Sequence, residues 1–249
     1  MKALSCGLGK NSTAVILGLH DRMQMPDLIL FADTGGEKPH TYALLETLNT
    51  WLISRNYRGI EIVKAPNTTL EANLLKLKTL PSKTFGFGTC SQRFKIEPQH
   101  KYLNHHPMAL ETWAKGEKVT MIVGFDADEP HRAKDYNDDK YQNWYPLIEW
   151  DWGRDECTAR IEQEGWNVGK SACFFCPSSR KSEILQLQEM YPELAERAIQ
   201  MERNFTEGEK GTKVVGLGRH WKWEELLRQG DLFPEETIMD FDCNCYDGE

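Results

Sequence analysis

The chain has 249 residues, of which 40% are hydrophobic and 27% charged, and its formal net charge is −8. This length suits one α/β domain with a subdomain, or two small domains. This ordinary composition excludes collagen-like, coiled-coil and low-complexity classes. Membrane proteins are excluded because no apolar run approaches the ~20 residues of a membrane span. The N-terminus lacks the apolar stretch of a secretory signal, so we expect a cytoplasmic protein with no membrane partner. The net charge disfavours a free-standing, non-specific nucleic-acid binder.

Strands and helices are predicted to alternate through the first half of the chain. Apolar runs predict short strands at residues 2–5, 27–33, 59–65 and 119–125. Helical spacing of apolar residues predicts helices at about 14–19, 41–55, 69–78 and 95–116. Such alternation builds βαβ units. The predicted fold class is therefore α/β, with a doubly wound, mostly parallel sheet and ligands at the carboxyl ends of its strands.

The character of the sequence changes after residue 140. Tyrosines and tryptophans cluster there, a cysteine-rich stretch follows, and amphipathic helices are predicted at about 178–205 and 219–229. We therefore predict two domains: a nucleotide-binding core, residues 1–140, and a cysteine-containing helical region with an acidic tail, residues 141–249.

A glycine-bearing loop, residues 5–13, joins the first strand to the first helix and reads Ser-Cys-Gly-Leu-Gly-Lys-Asn-Ser-Thr. Glycines let backbone N–H groups approach an anion, and the following helix N-terminus adds partial positive charge. Lys10 can add charge, and Ser12 and Thr13 can add hydroxyl donors. Neither the Walker A spacing nor Gly-x-Gly-x-x-Gly is present. The loop is interpreted as a phosphate cradle, with a merely tight strand–helix turn as the alternative.

Seven cysteines in a cytoplasmic chain point to metal ligation or thiol chemistry rather than to disulfides. Cys173 and Cys176 form a C-x-x-C motif, and Cys90 and Cys157 bring the number of thiols to four. Four thiolates suit a 4Fe–4S cluster, but zinc accepts the same ligands, and unligated structural or redox thiols remain a third interpretation. For the two other distal cysteines, 243 and 245, a mobile tail is expected, with a persulfide relay as the alternative.

Three ordered segments resemble the PP-loop family of ATP pyrophosphatases and adenylyl-sulfate reductases. Residues 7–12 correspond to its usual Ser-Gly-Gly-x-Asp-Ser loop, with Leu8 in place of a glycine and Asn11 in place of the aspartate. Residues 31–37 resemble its second element. Residues 124–132 resemble its third, with a glutamate and an arginine as the polar pair. The resemblance implies an adenine nucleotide alpha-hydrolase-like fold.

The resemblance also implies a chemistry and a set of site residues. ATP would be cleaved between its α and β phosphates with Mg²⁺, as a substrate oxygen attacks the α-phosphate and pyrophosphate leaves. A sulfur nucleophile would then displace the adenylated oxygen. The implied cofactor-binding residues are Ser5, Gly7, Gly9, Asn11, Ser12, Thr13, Asp33 and Gly124. The implied catalytic residues are Lys10, Ser12, Asp33, Glu129 and Arg132.

The cysteine spacing is similar to that of the ATP-pyrophosphatase component of DNA phosphorothioation systems of the Dnd and Ssp types. In that component a lone cysteine, a second cysteine and a C-x-x-C motif hold a 4Fe–4S cluster. The expected function is adenylation of a substrate oxygen for sulfur transfer in DNA phosphorothioation. A cysteine desulfurase would be the sulfur donor, and a partner protein would present the DNA.

Three alternatives stay open: a sulfonucleotide reductase of the adenylyl-sulfate type, a tRNA-thiolating enzyme and a zinc-stapled interaction module. The Glu-Cys-Gly-Leu-His tail of phosphoadenylyl-sulfate reductases is absent from the sequence.

Overall fold

The computed structural model describes residues 1–86, 88–134, 138–205 and 213–229. The predicted interpretation of cysteines 243 and 245 lies outside these residues. The described strands are β1 Lys2–Ser5, β2 Leu28–Ala32, β3 Glu61–Val63, β4 Val119–Val123 and β5 Tyr141–Trp144. The described helices are α1 Lys10–Asp21, α2 Pro39–Ser54, α3 Leu70–Leu77, α4 Thr89–Ser91, α5 Glu97–Leu103, α6 Pro107–Ala114, α7 Pro146–Glu149, α8 Arg154–Glu162, α9 Lys181–Met190, α10 Pro192–Asn204 and α11 Trp223–Gln229. None of them is both long and apolar enough to cross a bilayer.

The chain divides into two compact units, each built from several segments. The first unit comprises Met1–Asp33, Lys38–Lys64 and Ile96–Ser171, and the second comprises Thr34–Glu37, Ala65–Lys95 and Ala172–Glu249. This division differs from the predicted boundary after residue 140. Strand β5 pairs with β4, so the chain up to residue 171 stays with the sheet. Residues 65–95, predicted to lie in the nucleotide-binding core, join the cysteine-bearing helices instead.

The first unit is organised around a five-stranded sheet in the order β3-β2-β1-β4-β5, and every pairing is parallel. The predicted α/β fold with a parallel, doubly wound sheet is confirmed. All five residues of β2 are buried, as its uninterrupted apolar run predicts. Strand β5 was not predicted, because its sequence, Tyr-Gln-Asn-Trp, has polar residues in the middle and only one buried residue.

Successive strand residues supply two cores, one on each face of the sheet, since side chains alternate along a strand. One core is covered by α1, α2 and α8; its strand residues are Leu4, Ile29, Phe31 and Ile122. The opposite core is covered by α5 and α6; its strand residues are Ala3, Leu28, Leu30, Val119, Met121 and Tyr141. The sheet is thus buried on both faces, which leaves its carboxyl edge for a ligand.

The second unit has a core of its own, formed by apolar residues of α3, α9, α10 and α11 together with Phe174 and Phe175. The predicted helical stretch 178–205 is two helices, because α9 ends at Met190 and Pro192 opens α10. The buried carboxylate of Glu202 accepts hydrogen bonds from the backbone N–H groups of residues 217, 223 and 224. This carboxylate therefore fastens the start of α11 to α10.

Candidate functional site

The loop between β1 and α1 lies at the carboxyl end of the sheet's central strand. Helix α1 begins at Lys10, with Gly9 as its extended N-cap residue. Leu8 has a φ of 55°, in the left-handed region that favours glycine. Its side chain is nevertheless 1% exposed and packs in the core, which offsets the strained backbone. The departure from the family's loop glycine is therefore accommodated by burial.

Hydroxyl groups hold the start of α1 in place. Ser12 Oγ donates to Gly9 O at 3.1 Å, and Thr13 Oγ1 donates to the same oxygen at 2.9 Å. Gly9 N in turn donates to Ser12 Oγ at 3.2 Å. A Cβ on Gly9 would lie 2.6 Å from Ser171 Oγ, so this position accepts only glycine without a shift. Ser171 is a cradle neighbour that sequence reasoning missed, since nothing in its local sequence marks it.

The loop after β4 passes directly against the first turn of α1. A Cβ on Gly124 would lie 3.2 Å from both Asn11 C and Ser12 N, so a residue with a side chain would crowd the first turn of α1 here. Asn11 Nδ2 donates to Asp126 Oδ2 at 3.0 Å. Asp126 is 0% exposed and was not among the predicted site residues. The sequence feature that could have identified Asp126 is its position two residues after Gly124, within the segment 124–132 that resembles the third element of the PP-loop family.

Asp33 follows β2 at the same edge of the sheet, and its carboxylate interacts with two other side chains. Its carboxylate accepts a hydrogen bond from the Tyr42 hydroxyl at 2.9 Å and pairs with Lys64 Nζ at 3.0 Å. The side chain is 7% exposed. The buried carboxylate of Asp33 is thus paired with a largely exposed lysine.

Glu129 and Arg132, the predicted polar pair, do meet. Arg132 Nη1 lies 2.6 Å from Glu129 Oε2, and both side chains are largely buried. The guanidinium also lies over the Phe125 ring, 4.2 Å from its centroid. These contacts fix the third family-like segment as a rigid turn after β4.

Three cysteines of the second unit line one small cavity, here called the thiol pocket. Cys90, Cys173 and Cys176 are among its lining residues, together with Lys95 and Thr34, and its volume is about 30 Å³. That volume is room for one or two water-sized bodies. Cys173 Sγ lies within hydrogen-bond distance of Thr34 Oγ1, at 3.2 Å.

Charged groups surround the thiol of Cys173. Glu37 Oε1 lies 3.8 Å from Cys173 Sγ and 4.0 Å from Lys95 Nζ. Burial, reinforced by Glu37, raises the pKa of Cys173 well above the usual thiol range. Burial opposes the charge on Lys95, but Glu37 and the three thiols outweigh it and raise the pKa of Lys95. The pocket therefore offers three thiols and two lysine side chains, Lys83 and Lys95.

Cys157, the fourth predicted metal ligand, belongs to the first unit. It lies on α8, is 0% exposed, and packs in the core with α1. Burial, followed by the charge of Asp126, raises the pKa of Cys157 to about 12. The predicted four-thiol set is thus divided between the units as three and one. In the part of the chain that the structure describes, no three or more His, Cys, Asp or Glu side chains are gathered to hold a metal ion.

One family model matches more than half of the chain. Residues 2–154 match the phosphoadenosine phosphosulfate reductase domain. An uncharacterized protein of Methanocaldococcus jannaschii is 22% identical over 213 residues, which cover 80% of this chain and 46% of that protein. The chain therefore spans about half the length of this curated relative. A crystal structure of phosphoadenylyl-sulfate (PAPS) reductase from Candida auris, a phosphate complex, is similar with a TM-score of 0.44 and 15% identity. That similarity covers 68% of this chain and 80% of the other.

Proposed function

The chain belongs to the phosphoadenosine phosphosulfate reductase domain family, and on this premise we propose that it is an ATP pyrophosphatase for sulfur transfer. ATP would bind at the loop between β1 and α1. A substrate oxygen would attack the α-phosphate, the α–β bond would break, and pyrophosphate would leave. The adenylated oxygen then becomes a good leaving group for a sulfur nucleophile.

The proposal is supported by the position and backbone geometry of the loop before α1. It lies at the carboxyl end of the central strand, where ligands bind in parallel sheets. The N-terminus of the twelve-residue helix α1 faces this edge with its backbone N–H groups. Gly9 has no side chain of its own, so Ser171 Oγ packs directly against it, and Lys10 adds a positive charge beside it. Mg²⁺ would arrive with ATP and be held mainly through the phosphates, since Mg²⁺ usually keeps few protein ligands.

Pyrophosphate release from ATP tests this function. Wild-type protein with Mg²⁺ and candidate acceptors should release pyrophosphate, and Ser12→Ala should lower the rate by about tenfold or more, because the start of α1 loses its anchoring hydroxyl. Ser54→Ala is the matched control: Ser54 Oγ also donates to a carbonyl three residues earlier, at the far end of α2. Equal rates for Ser12→Ala and Ser54→Ala, or no ATP binding and no pyrophosphate release by wild-type protein, would contradict the proposal.

A sulfonucleotide reductase is the second candidate, and the family match favours it. With two electrons from a dithiol reductant, it would convert adenylyl sulfate or its 3′-phosphorylated form into sulfite and adenosine monophosphate or its 3′-phosphorylated form, respectively, without pyrophosphate. The two activities are separated by assaying both products from the same preparation. Sulfite without pyrophosphate would replace the first candidate by the second.

We further propose a metal centre in the second unit, a 4Fe–4S cluster with zinc as the alternative. The donor chemistry fits in part: three thiols line the thiol pocket, and Cys157 is not among its lining residues. A cluster would supply electrons or a sulfur-binding iron, and zinc would supply a structural staple. Iron, zinc and sulfide assays on anaerobically purified protein distinguish the two.

The proposed acceptor is DNA presented by a partner protein, with a cysteine desulfurase as sulfur donor. The support is the cysteine spacing, together with a net charge of −8 that disfavours unaided DNA binding. Sulfur label from cysteine should then appear in DNA when the desulfurase and ATP are present. Label in tRNA instead would identify a tRNA-thiolating enzyme.

A further inference from the structure

Asp126 is a buried carboxylate that the proposed chemistry does not use. It lies three residues after β4, is 0% exposed, and its Oδ2 accepts a hydrogen bond from Asn11 Nδ2 at 3.0 Å. The Arg154 guanidinium is 3.9 Å from the same oxygen. Among the residues that the structure describes, Oδ1 of Asp126 has no hydrogen-bond partner. A buried carboxylate so incompletely satisfied is unfavourable for the fold, so a role beyond packing is the more economical explanation.

Asp126 accepts its hydrogen bond from Asn11, the second residue of α1. This residue lies in the turn that would face the phosphates. The close passage of Gly124, within 3.2 Å of Asn11 C and Ser12 N for an added Cβ, brings Asp126 against this turn. The backbone of Asp126 is itself fixed, because its carbonyl accepts a hydrogen bond from Glu129 N at 3.1 Å. The loop after β4 and the first turn of α1 are therefore joined by this close contact and by the hydrogen bond between Asp126 and Asn11.

We propose that Asp126 is a positioning residue for the cradle, acting through its hydrogen bond to Asn11. By holding the Asn11 amide, it sets the first turn of α1 in the geometry that receives the nucleotide's phosphates. This inference rests on the proposed function, because it assigns Asp126 to the same nucleotide site. The negative charge of Asp126 repels an anion, so any gain in nucleotide affinity must come from its hydrogen bond to Asn11.

The hydrogen bond and the charge can be separated with two substitutions. Asp126→Asn removes the charge but leaves an amide oxygen that can still accept from Asn11, whereas Asp126→Ala removes both. ATP affinity, measured by calorimetry with Mg²⁺, should be about tenfold weaker for Asp126→Ala than for Asp126→Asn. With Asn11→Ala in the background, the two substitutions should give the same affinity, since the partner of the hydrogen bond is gone. Circular dichroism at the assay temperature confirms that each variant is folded.

Asp128 supplies the matched control in the same loop. Its carboxylate accepts a hydrogen bond from Arg154 N, at the start of α8, at 2.8 Å. Asp128→Ala and Asp128→Asn should therefore bind ATP with affinities within about twofold of each other. Equal affinities for Asp126→Ala and Asp126→Asn would overturn the inference and leave the proposed function intact. Failure of the wild-type protein to bind ATP or adenylyl sulfate would instead overturn the proposed function and the inference with it.

Discussion

At the scale of single residues, the surroundings of each cysteine matter more than its spacing in the sequence. Cys173 shares the thiol pocket with two other thiols and two lysines, whereas Cys157 is enclosed by the core of the first unit. A thiolate at Cys157 is opposed by burial and by the carboxylates of Asp126, Glu156 and Asp128. The two cysteines are therefore expected to respond differently to substitution.

Cysteine substitutions test this difference through metal content. Cys173→Ala should lose most of the bound metal, because it removes a thiol from the pocket. Cys157→Ala should keep the metal and lower only the free energy of unfolding, by ~1–2 kcal/mol, for the lost packing. Metal is counted per chain after anaerobic purification, with Cys6→Ala as a buried control outside the pocket. Loss of metal in Cys157→Ala would instead support the four-thiolate set predicted from the sequence.

At the scale of elements, α1 and α8 are joined by a charged pair on the first unit's surface. Arg160 Nε and Nη2 donate to the Asp21 carboxylate at 2.7 and 2.9 Å, and Arg160 Nη1 donates to Glu164 at 3.0 Å. Glu164 also accepts from Trp51 Nε1 at 2.8 Å, which extends the connection to α2. One arginine thus ties together the helices that cover one face of the sheet.

Because Arg160 binds a titratable carboxylate, we expect its contribution to the free energy of unfolding to depend on pH. Its hydrogen bond to Asp21 lowers the pKa of that carboxyl below the usual value. A carboxyl with a lowered folded pKa stabilises the fold above its unfolded pKa of about 3.9, and this contribution is lost as pH falls through the folded pKa. Arg160→Ala should lower the free energy of unfolding by ~1 kcal/mol at pH 7, after allowance for solvent screening.

The difference between Arg160→Ala and wild type should shrink as pH falls below about 3.9, because Asp21 is then increasingly protonated in both proteins. Urea titrations between neutral and acid pH measure it. Lys115→Ala is the control: Lys115, directly after α6, forms an ion pair with Glu111 in which both side chains are exposed, so its loss should change nothing measurable. If the difference in free energy of unfolding between Arg160→Ala and wild type stays constant down to the lowest pH measured, the lost stability comes from packing rather than from charge.

At the scale of the whole molecule, neither unit is a continuous stretch of chain. The chain passes from one unit to the other after residues 33, 37, 64, 95 and 171. The sheet requires β5, and the core beneath α1 requires Ile161 and Cys157 of α8, all beyond residue 140. Truncation at the predicted domain boundary would therefore remove part of the first unit's core.

A chain ending at residue 140 is expected to fail to fold cooperatively, because it lacks β5 and leaves one face of the sheet partly uncovered. A chain ending at residue 229 retains every described element and should unfold cooperatively. Thermal unfolding followed by circular dichroism compares the two. A cooperative transition in the shorter chain would show that the sheet does not depend on the later segments.

Much of the fold could be predicted from local sequence. The apolar runs at β1, β2 and β4 are buried strands, and the glycine loop before α1 lies at the carboxyl edge as expected. β5 could not be predicted, because its polar edge sequence lacks the apolar run of a central parallel strand. Asp126 and Ser171 were missed for a related reason: their importance depends on neighbours more than a hundred residues away in the chain.

The sequence by itself determined the parallel sheet and the candidate nucleotide loop, because strand periodicity and helix-start chemistry act over a few residues. The tertiary structure alone decided which cysteines share a pocket, which carboxylate touches the first turn of α1, and where the units divide. These are contacts between distant segments. They depend on how side chains pack when the chain is folded, which no local pattern encodes.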